Sequence, residues 1–469
     1  MPIIVWISAI CAREIMSSFQ DLYNSKKKST QEFISLIQGK DRLATSIAAG
    51  QPRTLLNALS DKTDIENLEI FTGLCAFPYP LFTHEKVKVI SGYYGPIERM
   101  LNDMGANVAY LPLAFNAFEI FAKSFKPRVV MTTLSAMDEK GRLSFGSNAE
   151  AIYCPFIEAS KDKSRLTVGE INPQMPVVYG LRELGNNQIS IEDLDVVVES
   201  DQSLLELPPA EMNAAEKKIA ELVVSLLKSG DTLQFGIGAI PNEVARLLSE
   251  SSLTNFGIHS ELISDGFVTL MESGKISNTQ KGLHEGKSLF AFALGSQKLY
   301  EWLDERKGHN HGRALAAPVS YVNDPHIIAK NQNMASVNSG FMIDLSGQVS
   351  SEAIGEKQYS GVGGQLNFVQ GAFHSPDGRS ILCIKSSVEI EGKRYSNIVE
   401  ALPPGSIIST PRHYAQYIVT EQGIANLYGL TDEERCYELV KIAHPDFKEE
   451  LLKQARERDK NYYHSKRLS

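Results

Sequence analysis

Glu261 is the residue of this sequence whose setting is best suited to chemistry. It lies in Gly257-Ile-His-Ser-Glu-Leu-Ile-Ser-Asp-Gly266, directly after a short apolar run that predicts a β-strand. An acidic residue there would stand at the carboxyl end of a sheet, where open α/β sheets bind their ligands. A carboxylate can attack an activated carbonyl as a covalent nucleophile. The alternative is a glutamate at the start of a helix, favoured by the helix dipole. On these letters alone, the alternative is better supported.

A glycine-rich turn lies upstream of this segment. In Leu233-Gln-Phe-Gly-Ile-Gly-Ala-Ile-Pro-Asn-Glu-Val-Ala-Arg-Leu-Leu248, the letters predict a strand, a turn at Gly236 and Gly238, and a helix. Glycines let the backbone approach a ligand, and the N–H groups at a helix start favour anions. Pro241 stands where the dinucleotide fingerprint has its third glycine, so we expect no NAD. No Gly-Lys-Ser/Thr follows, which excludes a Walker phosphate loop. A plain tight turn is an equally good interpretation.

Two further segments carry groups suited to catalysis. Ser360-Gly-Val-Gly-Gly-Gln365 is a second glycine cluster, and such a cluster can offer backbone N–H groups to an oxyanion. A flexible loop is its alternative. Glu421 follows the predicted strand Tyr417–Val419 and is a second carboxylate at a strand end. Its spacing fits a glutamate in the first turn of a helix better.

The histidines form no recognisable catalytic or metal site in the sequence. His259 and Ser260 are neighbours in an extended segment. Neighbours point to opposite faces of a strand, so these two cannot act as base and nucleophile. His309 and His311 lack a third ligand at motif spacing, so we expect no metal.

Alternating strands and helices must position these groups. Residues 17–58 predict helical structure, with a cap at Ser29 or Thr30. Residues 129–146 predict two strands joined by a turn at Asp138–Gly141. Strand-like apolar runs begin at Ile70, Lys86, Asn107, Arg128, Leu166, Val196, Thr232, Gly257, Leu289, Ala335 and Ser380. Strands separated by helices are typical of an open α/β sheet.

The length and composition fit two such sheets. The chain has 469 residues, of which 43% are hydrophobic and 22% charged, as in a globular protein with two domains of roughly 200 residues each. The proline-containing segment Glu206–Glu211 is the best candidate for a linker, so we expect domains at 17–207 and 208–469. The net charge of -9 argues against general nucleic-acid binding, which needs a basic surface.

The cysteines and the N-terminus bear on location. Five cysteines are scattered without a Cys-x-x-Cys pair, which indicates reduced thiols and a cytoplasmic protein. Residues 1–12 are apolar but too short to span a membrane, and no basic segment precedes them. We therefore expect no secretory signal and no membrane partner. An alternative start of translation is Met16.

Several segments together resemble a known family. In order along the chain they are Met137-Asp-Glu-Lys-Gly-Arg-Leu-Ser-Phe-Gly146, Gly169-Glu-Ile-Asn-Pro-Gln-Met-Pro176, Gly236-Ile-Gly-Ala-Ile-Pro-Asn242, Gly257–Gly266, Ser360–Gln365, Val419-Thr-Glu-Gln-Gly-Ile-Ala-Asn-Leu427 and Ile442-Ala-His-Pro-Asp-Phe447. They resemble the acetyl-CoA hydrolase/transferase family, nearest to its 4-hydroxybutyrate and butyrate CoA-transferases, from about residue 20 to about residue 455. Asn367 stands where related sequences usually have Asp, and the first dozen residues have no counterpart.

The resemblance implies a fold and a set of site residues. The fold is two open-sheet α/β domains of the CoA-transferase (NagB-like) type. Glu261 takes the position that carries a glutamyl-CoA thioester, and Glu421 is a supporting active-site carboxylate. The implied CoA-binding residues are Gly236, Ile237, Gly238, Ala239, Ile240, Asn338, Gly361 and Gly364. Coenzyme A is then a substrate and covalent intermediate, without metal or NAD, and the resemblance implies a homodimer.

The implied activity is transfer of CoA between an acyl-CoA (butyryl-, 4-hydroxybutyryl- or related) and acetate, with ping-pong kinetics. An acyl-CoA hydrolase, which releases CoA without an acceptor, is one alternative. A non-catalytic CoA-binding protein is another, although binding alone needs no carboxylate at position 261. A dehydrogenase is the least supported alternative, because the dinucleotide fingerprint is broken.

Overall fold

The computed structural model describes residues 16–149, 151–208 and 211–463, so the expectations about residues 1–12 lie outside the described residues. The chain forms two units. The first comprises the chain up to Leu207 together with Leu289–Val322, and the second comprises Pro208–Ser288 and the chain from Asn323 onward. The break lies in the expected linker, but the first unit also takes a segment from the second half of the chain. Independent domains at 17–207 and 208–469 stay a prediction.

The first unit contains a parallel sheet. The strands of the first half of the chain are β1 (Arg42–Thr45), β2 (Leu68–Thr72), β3 (Val87–Ser91), β4 (Val108–Tyr110), β5 (Val129–Leu134), β6 (Arg142–Ser144), β7 (Leu166–Ile171), β8 (Gln188–Ser190) and β9 (Val196–Glu199). The helices are α1 (residues 16–26), α2 (Thr30–Leu36), α3 (Arg53–Ala58), α4 (Pro96–Asp103), α5 (Phe118–Phe125) and α6 (Tyr153–Ser160). The sheet order is β4-β3-β2-β1-β5-β7-β9, and its neighbours are parallel.

Burial on both faces explains the composition of the central strands. All six residues of β5, Val-Val-Met-Thr-Thr-Leu, are buried, as expected when helices cover both faces of a parallel sheet. Phe33 of α2 shares one hydrophobic cluster with residues of β1, β2 and β3. Helix α2 begins after Ser29, whose hydroxyl accepts from the Glu32 N–H, while the Glu32 carboxylate accepts from the Ser29 N–H. The cap predicted at Ser29 is therefore confirmed.

The second half of the chain contributes fifteen strands and nine helices in its described residues. The strands are β10 (Thr232–Phe235), β11 (Gly257–Ile263), β12 (Ser288–Ala293), β13 (Ala314–Ala316), β14 (Met334–Ser339), β15 (Met342–Asp344), β16 (Val349–Ser350), β17 (Ala353–Ile354), β18 (Lys357–Gln358), β19 (Arg379–Cys383), β20 (Ser387–Ile390), β21 (Lys393–Ser396), β22 (Ile398–Val399), β23 (Tyr417–Thr420) and β24 (Gly423–Asn426). The helices are α7 (Ala214–Leu226), α8 (Ala239–Glu250), α9 (Asp265–Glu272), α10 (Gln297–Leu303), α11 (Val319–Val322), α12 (Pro325–Ile328), α13 (Gln365–His374), α14 (Asp432–Lys441) and α15 (Pro445–Tyr463).

The second unit also has a parallel sheet. Five of its strands run parallel in the order β11-β10-β14-β19-β23, and β24 adds an antiparallel partner to β23. The open parallel sheets confirm the α/β fold class, because consecutive parallel strands are joined by a helix or a long connection. None of the described helices combines the length and apolarity needed to cross a membrane.

One sequence-based expectation about the first unit is wrong, and another is confirmed. Residues 17–58 were expected to be helical, but Arg42–Thr45 forms β1, which pairs with both β2 and β5. Pairing with partners distant in sequence overrides a weak local preference. The turn at Asp138–Gly141 exists, with the Gly141 N–H donating to the Asp138 carbonyl at 3.1 Å. It joins β5 to β6, so the two strands predicted within residues 129–146 are confirmed, and β6 pairs with β8.

Candidate active site

Glu261 lies in the last part of strand β11, close to the carboxyl end of the second sheet. Strand β10 pairs with β11 from Thr232 opposite Gly257, and the same register carried forward sets Gly236 opposite Glu261. The glutamate therefore projects just past the end of β10. The sequence predicted Glu261 after the end of a strand, whereas Glu261 lies within strand β11. Helix α9 begins only at Asp265, so the alternative of a helix-start glutamate is wrong.

Two residues from other segments enclose the Glu261 carboxylate. The side-chain amide of Asn323 donates from Nδ2 to Glu261 Oε2 at 2.5 Å. Gly364, the residue before α13, lies against the same oxygen: a Cβ added there would stand 1.8 Å from Glu261 Oε2 and 2.3 Å from Asn323 Nδ2. A side chain at position 364 would therefore displace the Glu261 carboxylate or the Asn323 amide.

The surroundings of the Glu261 carboxylate disfavour its ionised form. Burial raises the pKa of Glu261 to about 7, and the hydrogen bond from Asn323 opposes that rise. Asn323 is fully buried, and its Oδ1 has no hydrogen-bond partner among the described residues. A carboxylate with a raised pKa beside an unsatisfied buried acceptor is the kind of perturbed group that clusters at functional sites.

The first glycine loop stands beside Glu261 and is open. Gly238 has φ 120° and ψ -173°, a conformation that other residues avoid. Added Cβ atoms at Gly236 and Gly238 would meet nothing within 4 Å, and the Ile237 side chain is 47% exposed. The loop leads directly into α8 at Ala239. The predicted βα turn is confirmed in form, and its open backbone can accept a ligand at close approach.

Asn338 lies on β14, the neighbour of β10, in a reciprocal amide pair. Gln234 Nε2 donates to Asn338 Oδ1, and Asn338 Nδ2 donates to Gln234 Oε1, each at 3.1 Å. The pair crosses from β10 to β14, between the strand that precedes the glycine loop and the next strand of the sheet. The sheet order reverses between these two strands, and such a switch point is where open α/β sheets bind ligands.

The second glycine cluster lies before helix α13. Gly361 and Gly364 are both buried, and Gly363 has φ 58°. Of the predicted site residues, the structure brings Gly364 into contact with Glu261. Asn367, on the first turns of α13, is buried with an Oδ1 that lacks a partner among the described residues.

Glu421 lies elsewhere along the sheet. It occupies the turn between β23 and β24, so the expected helix after Glu421 is wrong: Gly423–Asn426 is a strand that pairs with β23. The Ser386 N–H donates to Glu421 Oε2 at 3.0 Å, and the Ser386 hydroxyl bonds to Oε1. Partial burial raises the pKa of Glu421, but these hydrogen bonds outweigh it and the net pKa lies below the usual value. Four strand spacings, about 19 Å, separate β11 from β23.

The neighbouring histidine and serine have separate partners. His259 Nδ1 is 3.1 Å from Asn331 Nδ2, and the Ser260 hydroxyl donates to the Phe235 carbonyl at 3.3 Å. His309 and His311 belong to no cluster, since no group of three or more His, Cys, Asp or Glu in the described ranges is placed to hold a metal.

Asn323 is the site residue that the sequence reasoning missed. It stands in Val322-Asn-Asp-Pro325, where Asp324 caps the short helix α12. An asparagine before such a cap is unremarkable in sequence. Only its contact with Glu261, 62 residues away, marks it, and no local pattern encodes that contact.

Comparison with known proteins places the chain. Residues 12–207 match the acetyl-CoA hydrolase/transferase N-terminal domain, and residues 295–455 match the C-terminal domain of the same family. The chain belongs to the acetyl-CoA hydrolase/transferase family. It is an enzyme of the CoA-transferase type, like relatives that are 32–36% identical to it over more than nine tenths of its length.

Two similar relatives carry curated names. The chain is 36% identical to 4-hydroxybutyrate coenzyme A transferase of Clostridium kluyveri over 448 residues, covering 94% of this chain and 99% of the relative. It is 32% identical to butyryl-CoA:acetate CoA-transferase of Anaerostipes caccae, covering 93% and 97%. Among solved structures, RipA from Yersinia pestis superposes with a TM-score of 0.84 at 33% identity, covering 94% and 99%. This chain and RipA therefore share one fold over nearly their whole lengths.

Proposed function

We propose that this enzyme moves CoA between a short-chain acyl-CoA and acetate through a covalent glutamyl-CoA thioester on Glu261. The observation that carries the proposal is the enclosed carboxylate, with Asn323 Nδ2 on one oxygen and Gly364 against it. The names of the two relatives support butyryl- or 4-hydroxybutyryl-CoA as the donor and acetate as the acceptor.

The proposed first half-reaction uses Glu261 as a nucleophile. The ionised carboxylate attacks the thioester carbonyl, the C–S bond breaks, and an acyl-glutamyl anhydride and a CoA thiolate result. The thiolate then attacks the glutamyl carbonyl of that anhydride and expels the free acid, which leaves Glu261 as a CoA thioester. An incoming carboxylate reverses the two steps with a new acyl group. One thioester replaces another, so no nucleotide is consumed.

Donors around the carboxylate have a role in these steps. Asn323 Nδ2 already bonds a Glu261 oxygen, so it can stabilise the oxyanion formed when the glutamyl carbonyl is attacked. Backbone N–H groups of Gly361–Gly364 are proposed for the oxyanion on the acyl side. The Gly236–Ile240 loop and Asn338 are proposed to hold CoA, because they line the open switch-point edge. Exclusion of water protects the anhydride from hydrolysis.

Trapping of the thioester tests this proposal. Wild-type enzyme is incubated with butyryl-CoA, reduced with borohydride and digested, and the peptide that contains Glu261 is analysed by mass spectrometry. Reduction of the thioester converts Glu261 to an alcohol, and acetate added before borohydride should prevent it. The Glu261→Ala variant should lose transfer and trapping. Glu250→Ala, on the exposed end of α8, is the matched control and should keep both. Trapping at another residue, or full activity of Glu261→Ala, refutes the proposal.

The hydrolase alternative is separated by the acceptor. A transferase releases CoA-linked product only when a carboxylate acceptor is present, whereas a hydrolase frees CoA from butyryl-CoA in its absence. We propose a cytoplasmic homodimer. The free thiols of Cys75, Cys154, Cys383 and Cys436 support the location, because cytoplasmic thiols stay reduced. Sedimentation of the purified protein tests the dimer.

A further inference from the structure

Arg53 is a half-buried arginine of the first unit that stacks on an aromatic ring. It is the first residue of α3, and its guanidinium carbon lies 4.0 Å above the centre of the Phe77 ring. Within the described parts of the chain, its side chain has no hydrogen bond or ion pair. Other partly buried arginines of this unit are paired, such as Arg128 with Asp41. The guanidinium of Arg53 is therefore positioned but lacks an acceptor.

The backbone that carries Arg53 is held in place by its neighbour Gln51. The Gln51 side chain accepts from the Ala76 N–H at 2.7 Å and donates to the Thr72 hydroxyl at 2.8 Å. Its carbonyl accepts from the Thr133 hydroxyl at 3.1 Å. These bonds attach the loop to the carboxyl ends of β2 and β5. A rigid loop and a stacked guanidinium lose little conformational entropy when a ligand binds.

A narrow cleft gives the guanidinium a place to bind something. Arg53, Phe77, Thr133 and Asn172 line it, and its free volume is about 10 Å³, room for a single water-sized group. Glu170 also lines the cleft, but it accepts from the Leu55 N–H at 3.1 Å and forms no ion pair with Arg53. One water-sized oxygen of a ligand fits this space.

We propose that Arg53, stacked on Phe77, binds one oxyanion group of a substrate. A planar guanidinium matches carboxylate and phosphate oxygens with two parallel N–H donors, and the ring beneath it holds its plane and strengthens its charge interaction. The identity of the ligand rests on the proposed function, which supplies two sources of such an oxygen: the carboxylate of the free acid, or a phosphate of CoA.

Ping-pong kinetics distinguish these sources, because the two KM values are measured separately. Arg53→Gln should raise one KM by about tenfold or more, as expected for loss of a charged hydrogen bond, and should leave kcat within about threefold. A rise in the KM for acetate identifies the acid's carboxylate, and a rise in the KM for butyryl-CoA identifies a CoA phosphate. Arg53→Lys should fall between wild type and Arg53→Gln. Phe77→Leu should have a smaller effect of the same kind.

Arg182→Gln is the matched control, because Arg182 is an exposed arginine of the same unit, and it should change neither KM. Unchanged KM values in Arg53→Gln overturn the proposal, and so does a loss of kcat with equal rises in both KM values, which would indicate damage to the fold. If Arg53→Gln does not fold, Arg53→Lys and Phe77→Leu carry the same test. Failure of the proposed function is recognised separately, as absence of transfer by the wild-type enzyme.

Discussion

The two parallel sheets of this protein share the order of five strands. Only the second sheet has a carboxylate, Glu261, opposite the residue that follows its first strand. The first runs β2-β1-β5-β7-β9 and the second runs β11-β10-β14-β19-β23, so corresponding strands follow one another along the chain in the same sequence. The strand registers correspond as well. Carried one step past the end of β1, the first register sets Gly73 where the second sets Glu261.

The loops after the first strand of each sheet also correspond. One reads Ser46-Ile-Ala-Ala and continues to Pro52, and the other reads Gly236-Ile-Gly-Ala and continues to Pro241. The third residue has a positive φ in both: 46° at Ala48 and 120° at Gly238. The two units therefore share the order of these strands, and each first loop has a residue with positive φ at its third position.

The two units differ in the space that surrounds these corresponding positions. A Cβ at Gly73 would stand 3.0 Å from the ring of Phe118, so an aromatic side chain fills the place that the carboxylate occupies in the second sheet. The second sheet instead leaves open space at Gly236 and Gly238. The fold therefore supplies the carboxyl edge of each sheet and the loop after its first strand. The chemistry depends on the Glu261 carboxylate and on the open space around it.

The largest expected effect comes from closing that room. Gly364→Ala should lower kcat/KM for transfer by about 100-fold or more, because its Cβ would stand 1.8 Å from Glu261 Oε2 and displace the nucleophile. Gly73→Ala, at the position of the first sheet that corresponds to Glu261, should keep transfer activity. Steady-state kinetics and thermal melts of both variants measure the contrast. Equal losses in the two variants would remove the distinction between the sheets.

The pH dependence of transfer should report Glu261. Its pKa of about 7 means that the nucleophilic carboxylate is protonated below neutrality. We expect kcat/KM, which follows groups of the free enzyme, to fall about tenfold per pH unit below that pKa. A profile of kcat/KM from pH 5 to pH 8 tests it, with activity restored on return to pH 8 as the control for denaturation. A flat profile would show that Glu261 stays ionised.

The same carboxylate should make the folded protein less stable when it is ionised. Its pKa in the folded state is about 7 against an ordinary value of 4.5. Between these pH values the unfolded state holds fewer protons than the folded state, so the stability of the wild type falls as pH rises. Glu261→Gln should therefore be more stable than wild type at pH 8, by at most about 3 kcal/mol. The difference should vanish near pH 4. Urea unfolding at both pH values measures it, and a Gln variant less stable at pH 8 contradicts it.

The loops that contain Gly238 and Ala48 should respond differently to substitution of these residues. Gly238→Ala should destabilise the protein by about 1–3 kcal/mol and raise the KM for butyryl-CoA, because alanine avoids φ 120°. Ala48→Gly should be nearly neutral, since relief of its positive φ offsets the lost methyl group, each about 1 kcal/mol. Urea unfolding and kinetics compare the variants. Ala48→Gly raising the same KM would give the first loop a role in CoA binding.

Sequence reasoning found the strands that are stabilised by their own composition. Thr232–Phe235 and Val129–Leu134 are continuous buried runs, and their letters predict strands directly. Arg42–Thr45 was missed, because it becomes a strand by pairing with β2 and β5. Gly423–Asn426 was missed for the same reason, since β23 supplies its partner. Local patterns do not encode pairing with distant segments.

The site residues that lie in short motifs were predicted, and those defined by distant contacts were not. The resemblance of the motifs identified Glu261 and the glycine loops, which lie within short segments. Asn323 was not found, because its role comes from contact with a residue 62 positions away. The raised pKa of Glu261 was equally beyond reach, since burial depends on the packing of whole elements and not on neighbouring letters.

Glu421 should have only a small effect on transfer, and it tests how far the active site extends along the sheet. It lies about four strand spacings, ~19 Å, from the strand of Glu261, and Ser386 holds its carboxylate through two hydrogen bonds. Glu421→Gln weakens those charge-assisted bonds, so we expect a loss of about 1–2 kcal/mol in stability. Because the pKa of Glu421 lies below its usual value, that loss should shrink as pH falls through the folded pKa. Transfer should fall by less than about tenfold, which corresponds to 1.4 kcal/mol in the barrier. A decrease as large as that of Glu261→Ala would show that Glu421 touches the reacting groups, and that the supporting carboxylate implied by the family resemblance acts directly in the reaction.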